Sequence, residues 1–524
     1  MKAEVLVGVL LLLAMPLAGM NVSIHESKLD FYDMNGEETV ELPFNAEIEK
    51  VAVNGSAENI DFKWISGGNA YRIKQPPYHI GVGISNGQHV VFLTIYGKKA
   101  SVEYDYKKAV SFNGEYDLLI ITPEKFYKEF SKLAEHKEKH GIKTKVISLN
   151  EVYSSYNGRD EAEKIKYCIK DSVEKDGIKY VLLAGDIYNL PIRYVVYHEK
   201  WRGRTYNFSM PTDLYYADLY RYENGHVVFS SWDTNNNGVY GEVYYGCIGV
   251  NDTIDLYPDV YVGRLACRNV REAKTVVDKI IKYEDGGGEW FKRLLLVGGD
   301  TFPGWGIIEG EFMNEYVANI MQGFTPVKMW ASDGSISPFN VEMTMEKGGG
   351  FLYYSGHGFP YGWATHKPNN ENWTGRYFTP YILGLLNGYK LPIIFFDACL
   401  TAKLDFNSSD LRNDGVPLPI NATFPCFAWY FIAHKGGGAI ASIGATRVAF
   451  TGVGKNGPYS GASYLAYQFF KAYMNGKTRL GETFVTAQNN YLNHIWDRWT
   501  IQEFILLGDP TLQIGGYSHH NSQN

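Results

Sequence analysis

Two short stretches end apolar runs on groups able to do chemistry. In FLYYSGHGFPYG (351–362) His357 stands between Gly356 and Gly358, and in LPIIFFDACLTAKLDF (391–406) the run closes on Cys399. A third run, LLLVGGD, closes on Asp300. A thiolate, an imidazole and a carboxylate are the parts of a nucleophilic acyl-transfer site. Cys399 would attack a carbonyl carbon, His357 would take and return the proton, and Asp300 would hold the ring and stabilise its cation. Gly358 has no side chain to obstruct its N–H, so that group and the Cys399 N–H are expected to form an oxyanion hole. The two glycines are also expected to give a substrate close access to the imidazole. Each residue alone has a plainer reading: a buried cysteine, a turn with an exposed ring, or an acid that only caps a segment, as Asp186 and Asp509 can. Their coincidence at strand ends favours the joint reading, because ligands of open parallel sheets bind beyond the carboxyl ends of the strands.

These strands need a scaffold. The chain has 524 residues, 45% of them hydrophobic, which is material for about two to four domains. From Asn21 to about Asn113 short apolar and polar residues alternate between Asn-Gly and Gly-Gly turns, so residues 20–114 are expected to form a β-rich module. From Tyr116 the pattern changes to continuous apolar runs separated by helical periodicity, as in YDLLIIT followed by PEKFYKEFSKLAEHKEKHG. Strand and helix in alternation mean a mainly parallel sheet covered by helices. The expected fold class is therefore α/β, with subdomain A over 115–288, subdomain B over 289–516 and a polar tail over 517–524. The segment 187–262, rich in Tyr, Asn and Gly, reads as an irregular excursion. The two halves form two layers in sequence or share one extended sheet.

Residues 1–19 carry a charged start, a short apolar centre and a small-residue exit, and are expected to be a secretory signal peptide, with an uncleaved anchor as the alternative. No later segment reaches about 18 apolar residues without charge, so no stable membrane span is expected in the mature chain. Seven N-x-[ST] triplets, beginning at Asn21, Asn54, Asn207, Asn251, Asn372, Asn407 and Asn421, fit a secreted, glycosylated, extracellular or cell-surface protein. Five cysteines are too few for a disulfide scaffold, and an odd number leaves one thiol unpaired within the chain. A net charge of -7 with no basic stripe argues against nucleic acid as the main partner.

A second candidate site is DTNNNGVYGE (233–242). Asp233, Asn235 and Asn237 alternate as oxygen donors before Gly238, and Glu242 follows two residues earlier than an EF-hand would place it. The loop is read either as a structural calcium site or as an Asx-rich hairpin turn. The acyl-transfer chemistry itself requires no cofactor. His136 and His140 share a helical face at i, i+4, with no third metal ligand evident.

The pairing of SGHG with DACLTAKLDF, preceded by LLLVGGD, resembles the gingipain-type cysteine peptidases, family C25, relatives of the caspases and legumains. Further matches are YVLLAGD, PTDLYYADL, YPDVYVGRL, PCFAWYFIAHKGGGAIASIGAT and FILLGDP, so the resemblance covers about 116–515. It implies a caspase-like α/β/α fold in two subdomains and hydrolysis of peptide bonds in polypeptide substrates. It also implies a His357 and Cys399 dyad, with Asp300 as third member in a family that varies in its supporting carboxylate. By the same analogy the N-terminal module is a pro-domain covering the cleft. The stretch HKPNNENWTGRYF departs from the pattern and is expected to alter one wall of the cleft. No acid occurs from Ala439 through Gly481, where a lysine-selective member would carry one; Arg447 stands there instead. Glu309 and Glu311 in GIIEGEF either supply a pocket for basic residues or are solvated helix residues, whereas Arg447 in the pocket would favour acidic ones. A rival from another class is a non-catalytic surface protein that uses the fold, with its 40 Tyr and 11 Trp, to bind polymers. The thiol separates the two readings, since a binding module needs no cysteine beside a histidine.

Overall fold

A computed structural model describes residues 21–517 apart from 26–27, 33–36, 55–58, 65–70, 98, 106–110, 202–203, 246–247 and 413–421. The signal-peptide reading of 1–19, the tail beyond 517, Asn421 and Cys247 lie outside the described residues.

The apolar runs form the strands of one central sheet, numbered here in chain order: β1 (Leu118–Thr122), β2 (Thr144–Ser148), β3 (Tyr180–Ala184), β4 (Tyr261–Leu265), β5 (Arg293–Gly298), β6 (Thr325–Trp330), β7 (Phe351–Ser355), β8 (Ile393–Asp397), β9 (Ala441–Ala445) and β10 (Phe504–Leu507). Seven of them, β1, β3, β4, β7, β8, β9 and β10, are buried at every position, as strands covered on both faces must be. The spatial order is β2-β1-β3-β4-β10-β9-β8-β7-β5-β6. The two halves therefore share one sheet of ten strands. Their joint is β10, which runs parallel to β4 at Arg264↔Leu507 and antiparallel to β9 from Ser442↔Leu507 to Ala445↔Phe504. The late run FILL thus sits mid-sheet, where it closes the seam between the halves.

Helices return the chain between these strands. α1 (Tyr127–Lys139) buries Phe130, Leu133 and Ala134 at helical spacing, and Gly141 follows at φ +78. α2 (Glu161–Asp176) starts at Asp160, whose carboxylate accepts from Glu163 N at 2.8 Å, and ends at Gly177 in the left-handed region. α3 (Val270–Asp285) starts at Asn269, which accepts from Glu272 N at 3.0 Å. Each such cap contributes about 1 kcal/mol. α4 (Glu309–Ile320) follows β5.

The segment 187–262 is more regular than its composition suggests. Arg193–Trp201 and Arg204–Thr212 pair antiparallel, Val243–Tyr245 joins the first of them in parallel, and Tyr220–Glu223 forms a hairpin with His226–Phe229. Several of its tyrosines pack inward: Tyr197, Tyr215, Tyr216 and Tyr257 are fully buried, so part of the aromatic content that reads as irregular supplies the packing.

The N-terminal residues form antiparallel sheets, one from Asn21–His25, Lys28–Tyr32, Lys99–Asp105 and Glu47–Asn54, another from Glu38–Pro43, Gln88–Ile95 and Tyr78–Ser85. The module docks on the α/β part: Val82 N donates to Asp255 Oδ2 at 2.8 Å, Ile84 N to the Pro258 carbonyl at 2.7 Å, and Phe92 stacks on Tyr257 at 4.6 Å. One further strand of the module, Asn59–Trp64, pairs antiparallel with Phe450–Gly454 of the second half, at Phe450↔Trp64 and Thr451↔Lys63.

Candidate active site

The site is built at the carboxyl ends of β5, β7 and β8. In the parallel ladder Ser355 of β7 stands opposite Asp397 of β8, and His357 and Cys399 each follow two residues later. The main chains stay in contact past the strand ends. Gly356 N donates to the Asp397 carbonyl at 3.2 Å, and a Cβ at Gly358 would lie 2.1 Å from the Cys399 carbonyl oxygen. A Cβ at Gly356 would lie 2.4 Å from the Tyr354 hydroxyl. Both glycines are therefore required by the close approach of neighbouring atoms, a reason additional to the substrate access expected of them.

His357 opens a short strand (His357–Phe359) paired with Gly362–Lys367, which pairs in turn with Asn370–Phe378. This hairpin is the stretch expected to alter one wall. It brings His366 and Trp373 against the imidazole, with ring centroids 5.1 and 5.0 Å away. The His357 ring donates from Nε2 to the Thr301 carbonyl, 2.9 Å away. A carbonyl only accepts, so Nε2 carries the hydrogen and Nδ1 carries the lone pair in the neutral ring. Burial, together with neighbouring His366, holds the ring well below its ordinary value, at about 4, against the opposing pull of the Thr301 bond.

Asp300 stands at this edge but makes other contacts. Its Oδ2 accepts from Asn369 N at 2.7 Å, and its main chain bridges to His366, with Asp300 N donating to the His366 carbonyl at 3.1 Å. The bond to the His357 ring comes from the main chain of the next residue, Thr301, and Asp300 anchors the hairpin that carries His366. The role expected of a carboxylate on the imidazole is filled here by a carbonyl.

Cys399 is buried, 6% exposed, and its thiol lies 3.7 Å from the Ala449 carbonyl. Burial pushes the thiol up to about 12, so it rests as the neutral thiol. Leu400 follows in the left-handed region at φ 57, turning the chain sharply after the thiol. This turn is held by Arg447, whose carbonyl accepts from Leu400 N at 2.8 Å. The Arg447 guanidinium is bound by both Asp405 oxygens, at 2.9 and 2.7 Å, and by the Ser209 and Thr446 carbonyls. It braces the loop after Cys399, and its donors are spent there rather than in a pocket.

The two glutamates of α4 separate. Glu309 is buried beneath the strand ends, 3.4 Å from Ser355 Oγ, while that hydroxyl lies 3.0 Å from Asp397 Oδ2. Tyr353 and Ser463 also donate to Asp397 Oδ2, at 2.8 and 2.6 Å. One serine proton cannot serve two carboxylates, so the two contacts together require a proton on one of the acids. Burial, then the charge of Asp397, pushes the Glu309 carboxyl up to about 8. A neutral, buried acid does not form the anionic pocket that one reading of the sequence assigned to it. Glu311 lies instead at a surface groove of about 500 Å³ bounded by Ile307, Phe312, Glu315, Trp330 and Asn369, and accepts from Ser332 N at 2.8 Å. Asn369 links this groove to Asp300 and hence to the dyad edge.

The Asp233–Glu242 loop closes on itself. Asp233 Oδ1 accepts from Asn237 N at 2.9 Å, its Oδ2 from Gly238 N at 3.0 Å and from Arg159, whose guanidinium also binds Glu163. Asn235 and Asn237 direct their amide nitrogens to Glu242 Oε2, at 3.2 and 2.6 Å, and their oxygens accept main-chain N–H groups. These donors hold Glu242 below its ordinary value against the cost of burial. The loop has the Asx-turn geometry, and an ion bound by these oxygens would have to displace Arg159 and several N–H groups.

Sequence reasoning missed Thr301, His366 and Trp373. The two rings lie in the stretch recognised as a departure, but Thr301 acts through its main chain, which leaves no signature in residue type.

A profile of peptidase family C25 matches residues 112–515. Gingipain R2 of Porphyromonas gingivalis is 23% identical over 342 residues, which is 63% of this chain and 36% of that protein. An uncharacterized protein of Archaeoglobus fulgidus is 24% identical over 350 residues, 63% of this chain and 75% of that protein. The chain spans only about a third of the gingipain it matches. Among solved structures, the Arg-specific cysteine proteinase gingipain R (RgpB) superposes with a TM-score of 0.54 at 19% identity, over 78% of this chain and 80% of that one. The complex of the RgpB pro- and mature domains gives 0.52, also at 19% identity, over 76% and 79%. With a family match over most of its length and the same fold, this chain belongs to peptidase family C25.

Proposed function

We propose that the protein is an exported cysteine endopeptidase in which Cys399 is the nucleophile and His357 the proton carrier. The observation that supports this most directly is the level placement of the two residues at the ends of paired strands, with the His357 Nε2 committed to Thr301. The remaining nitrogen, Nδ1, is then the base. The reaction starts from the neutral pair: Nδ1 takes the thiol proton as Sγ bonds to the carbonyl carbon, and the imidazolium returns it to the amine as the C–N bond breaks. Water then attacks the thioester with His357 again as base, releasing the acid and restoring the thiol. The Gly358 and Cys399 N–H groups are the proposed oxyanion donors, supported by the contact between their main chains. Among the described residues no helix is long and apolar enough to cross a membrane.

For specificity, the groove with Glu311, Glu315 and the apolar faces of Ile307, Phe312 and Trp330 suits a long basic side chain: stem on the apolar wall, cation at the carboxylates. The RgpB structure, described as Arg-specific, shares this fold. Sequencing the cuts made in a denatured protein mixture tests the reading. An excess of Arg or Lys before the cut, lost in Glu311→Gln, supports it; an excess of Asp or Glu, or no cleavage at all, refutes it. A structural calcium at the Asp233–Glu242 loop is a separate proposal, supported by the convergence of Asp233, Glu242 and Asp252 on one loop.

A further inference from the structure

We propose that a zinc ion binds between α1 and the C-terminus of α3, held by His136 Nδ1, His140 Nε2 and Asp285. The i, i+4 histidines at the C-terminal end of α1, the second of them its cap, are matched by a carboxylate far away in sequence. Asp285 Oδ1 lies 3.9 Å from His136 Nδ1 and 3.5 Å from His140 Nε2, and all three ligand atoms fall within 4.8 Å of one another. A tetrahedron with bonds of about 2.0 to 2.2 Å has edges of about 3.3 to 3.6 Å, so small ring rotations bring the three atoms onto one ion.

An independent feature sets the chemistry. His136 is buried, and its Nε2 lies 3.0 Å from Glu284 Oε2. Glu284 is itself fixed, with Lys137 Nζ at 2.8 and 2.7 Å from its two oxygens and Gln513 N donating to Oε1 at 2.8 Å. That carboxylate has no oxygen to offer a metal. It accepts the Nε2 hydrogen and leaves the lone pair on Nδ1, the nitrogen facing Asp285. A buried carboxylate that fixes the tautomer of a ligating imidazole is the usual outer partner of a zinc-bound histidine. The second ring is fixed by stacking: Tyr517 lies on His140 with centroids 3.7 Å apart and planes 7° apart. The Asp285 and His140 side chains are 56% and 27% exposed, which gives the ion an entry path and a fourth, solvent position. Imidazole ligands disfavour calcium and magnesium, and a mixed N2O set with an open position suits zinc.

The ion would tie α1 to the last residue of α3, just before Gly286, Gly287 and Gly288 carry the chain into the second half. Its role is a brace, and the peptidase chemistry makes no use of it.

The test uses the full chain with His519→Ala and His520→Ala, which removes two further imidazoles close in sequence to Tyr517 as competing ligands. After chelation and equilibrium dialysis against zinc, one equivalent per chain is expected, with a rise of several degrees in Tm by mass action. His140→Ala and Asp285→Ala, both at accessible positions, are each expected to weaken binding at least tenfold and to abolish the shift. Peptide hydrolysis should be unchanged. Cobalt in place of zinc should show the intense visible bands of a four-coordinate site. Zinc uptake that survives both substitutions, or a parent chain that retains no zinc, overturns the proposal.

Discussion

His357 and Cys399 leave adjacent parallel strands at the same height, each two residues beyond the paired Ser355 and Asp397. A parallel ladder holds register over its whole length, so this pairing brings the two residues out at the same edge of the sheet. It follows that either residue can be removed without disturbing the strands. Cys399→Ala and His357→Ala should each lower hydrolysis of an arginyl reporter peptide by at least about a thousandfold, because members of a catalytic unit fail together. Circular dichroism should be unchanged. A folded Cys399→Ala protein that still hydrolyses the peptide would refute the mechanism.

Thr301, not Asp300, bonds the imidazole, and substitution at Asp300 distinguishes the two. Where a carboxylate sets the tautomer, its amide variant loses about ten-thousandfold in turnover. Asp300 Oδ2 accepts an N–H from Asn369, so Asp300→Asn disturbs the hairpin bearing His366 and Trp373 while the carbonyl still orients the ring. Turnover should fall by less than about tenfold on this argument. A loss near the larger figure would show that the carboxylate swings onto the ring during the reaction.

These contacts mark what the sequence could and could not disclose. The strand ends were legible because fully buried parallel strands are continuous apolar runs, and a reactive residue ending one stands out. The placement of Glu309 and Glu311 was not legible. Residues two apart on a helix face different directions, and only the packing of α4 against β5 and β7 decides that the first goes under the sheet edge. Arg447 reads as an available cation until Asp405 is brought to it by the turn at Leu400. Thr301 acts through an atom that every residue possesses.

The pH response should carry two opposite signatures. The base must be neutral, and with its ring held at about 4 the acid limb of kcat/KM should lie well below pH 6.5. The same depressed value means that His357 stabilises the fold above pH 6.5 and that this contribution is lost as pH falls toward 4. Glu309, raised to about 8, behaves in reverse. Its contribution is complete below about 4.5, the unfolded value, and is lost as pH rises through about 8. Urea midpoints of wild type and Glu309→Gln, measured from pH 4.5 to 9, isolate this group because all others cancel. The wild type should lose ground to the variant steadily as pH rises. A constant difference would mean that Glu309 is ionised throughout.

At the Asp233–Glu242 loop the positive charge in contact with Asp233 is the Arg159 guanidinium, which also binds Glu163. With the proposed calcium resident, a chelator should lower Tm by several degrees and calcium should restore it. If chelation leaves Tm within about a degree while Arg159→Gln lowers it by several degrees through an unpaired buried carboxylate, Arg159 takes the place of the ion and the calcium proposal fails.

The N-terminal module reaches the nucleophile through a short chain of contacts. The Cys399 thiol lies against the Ala449 carbonyl, the next residue begins Phe450–Gly454, and that strand is paired with Asn59–Trp64 of the module. A thiol under a strand that the module holds in place is sheltered from substrate and from reagents, which fits a module that keeps the enzyme latent. Proline lacks the N–H that an antiparallel ladder needs, and hydrogen-bonded positions alternate along such a pair, so one of Lys63→Pro and Trp64→Pro must remove a bond to Phe450–Gly454. In that variant the alkylation rate of Cys399 by iodoacetamide, followed on the Cys399 peptide by mass spectrometry, should rise at least severalfold. Hydrolysis of the reporter peptide should rise with it, because both depend on access to the same sulfur. If both rates stay at the wild-type level in both variants, the module does not govern access, and the burial of Cys399 belongs to the second half alone.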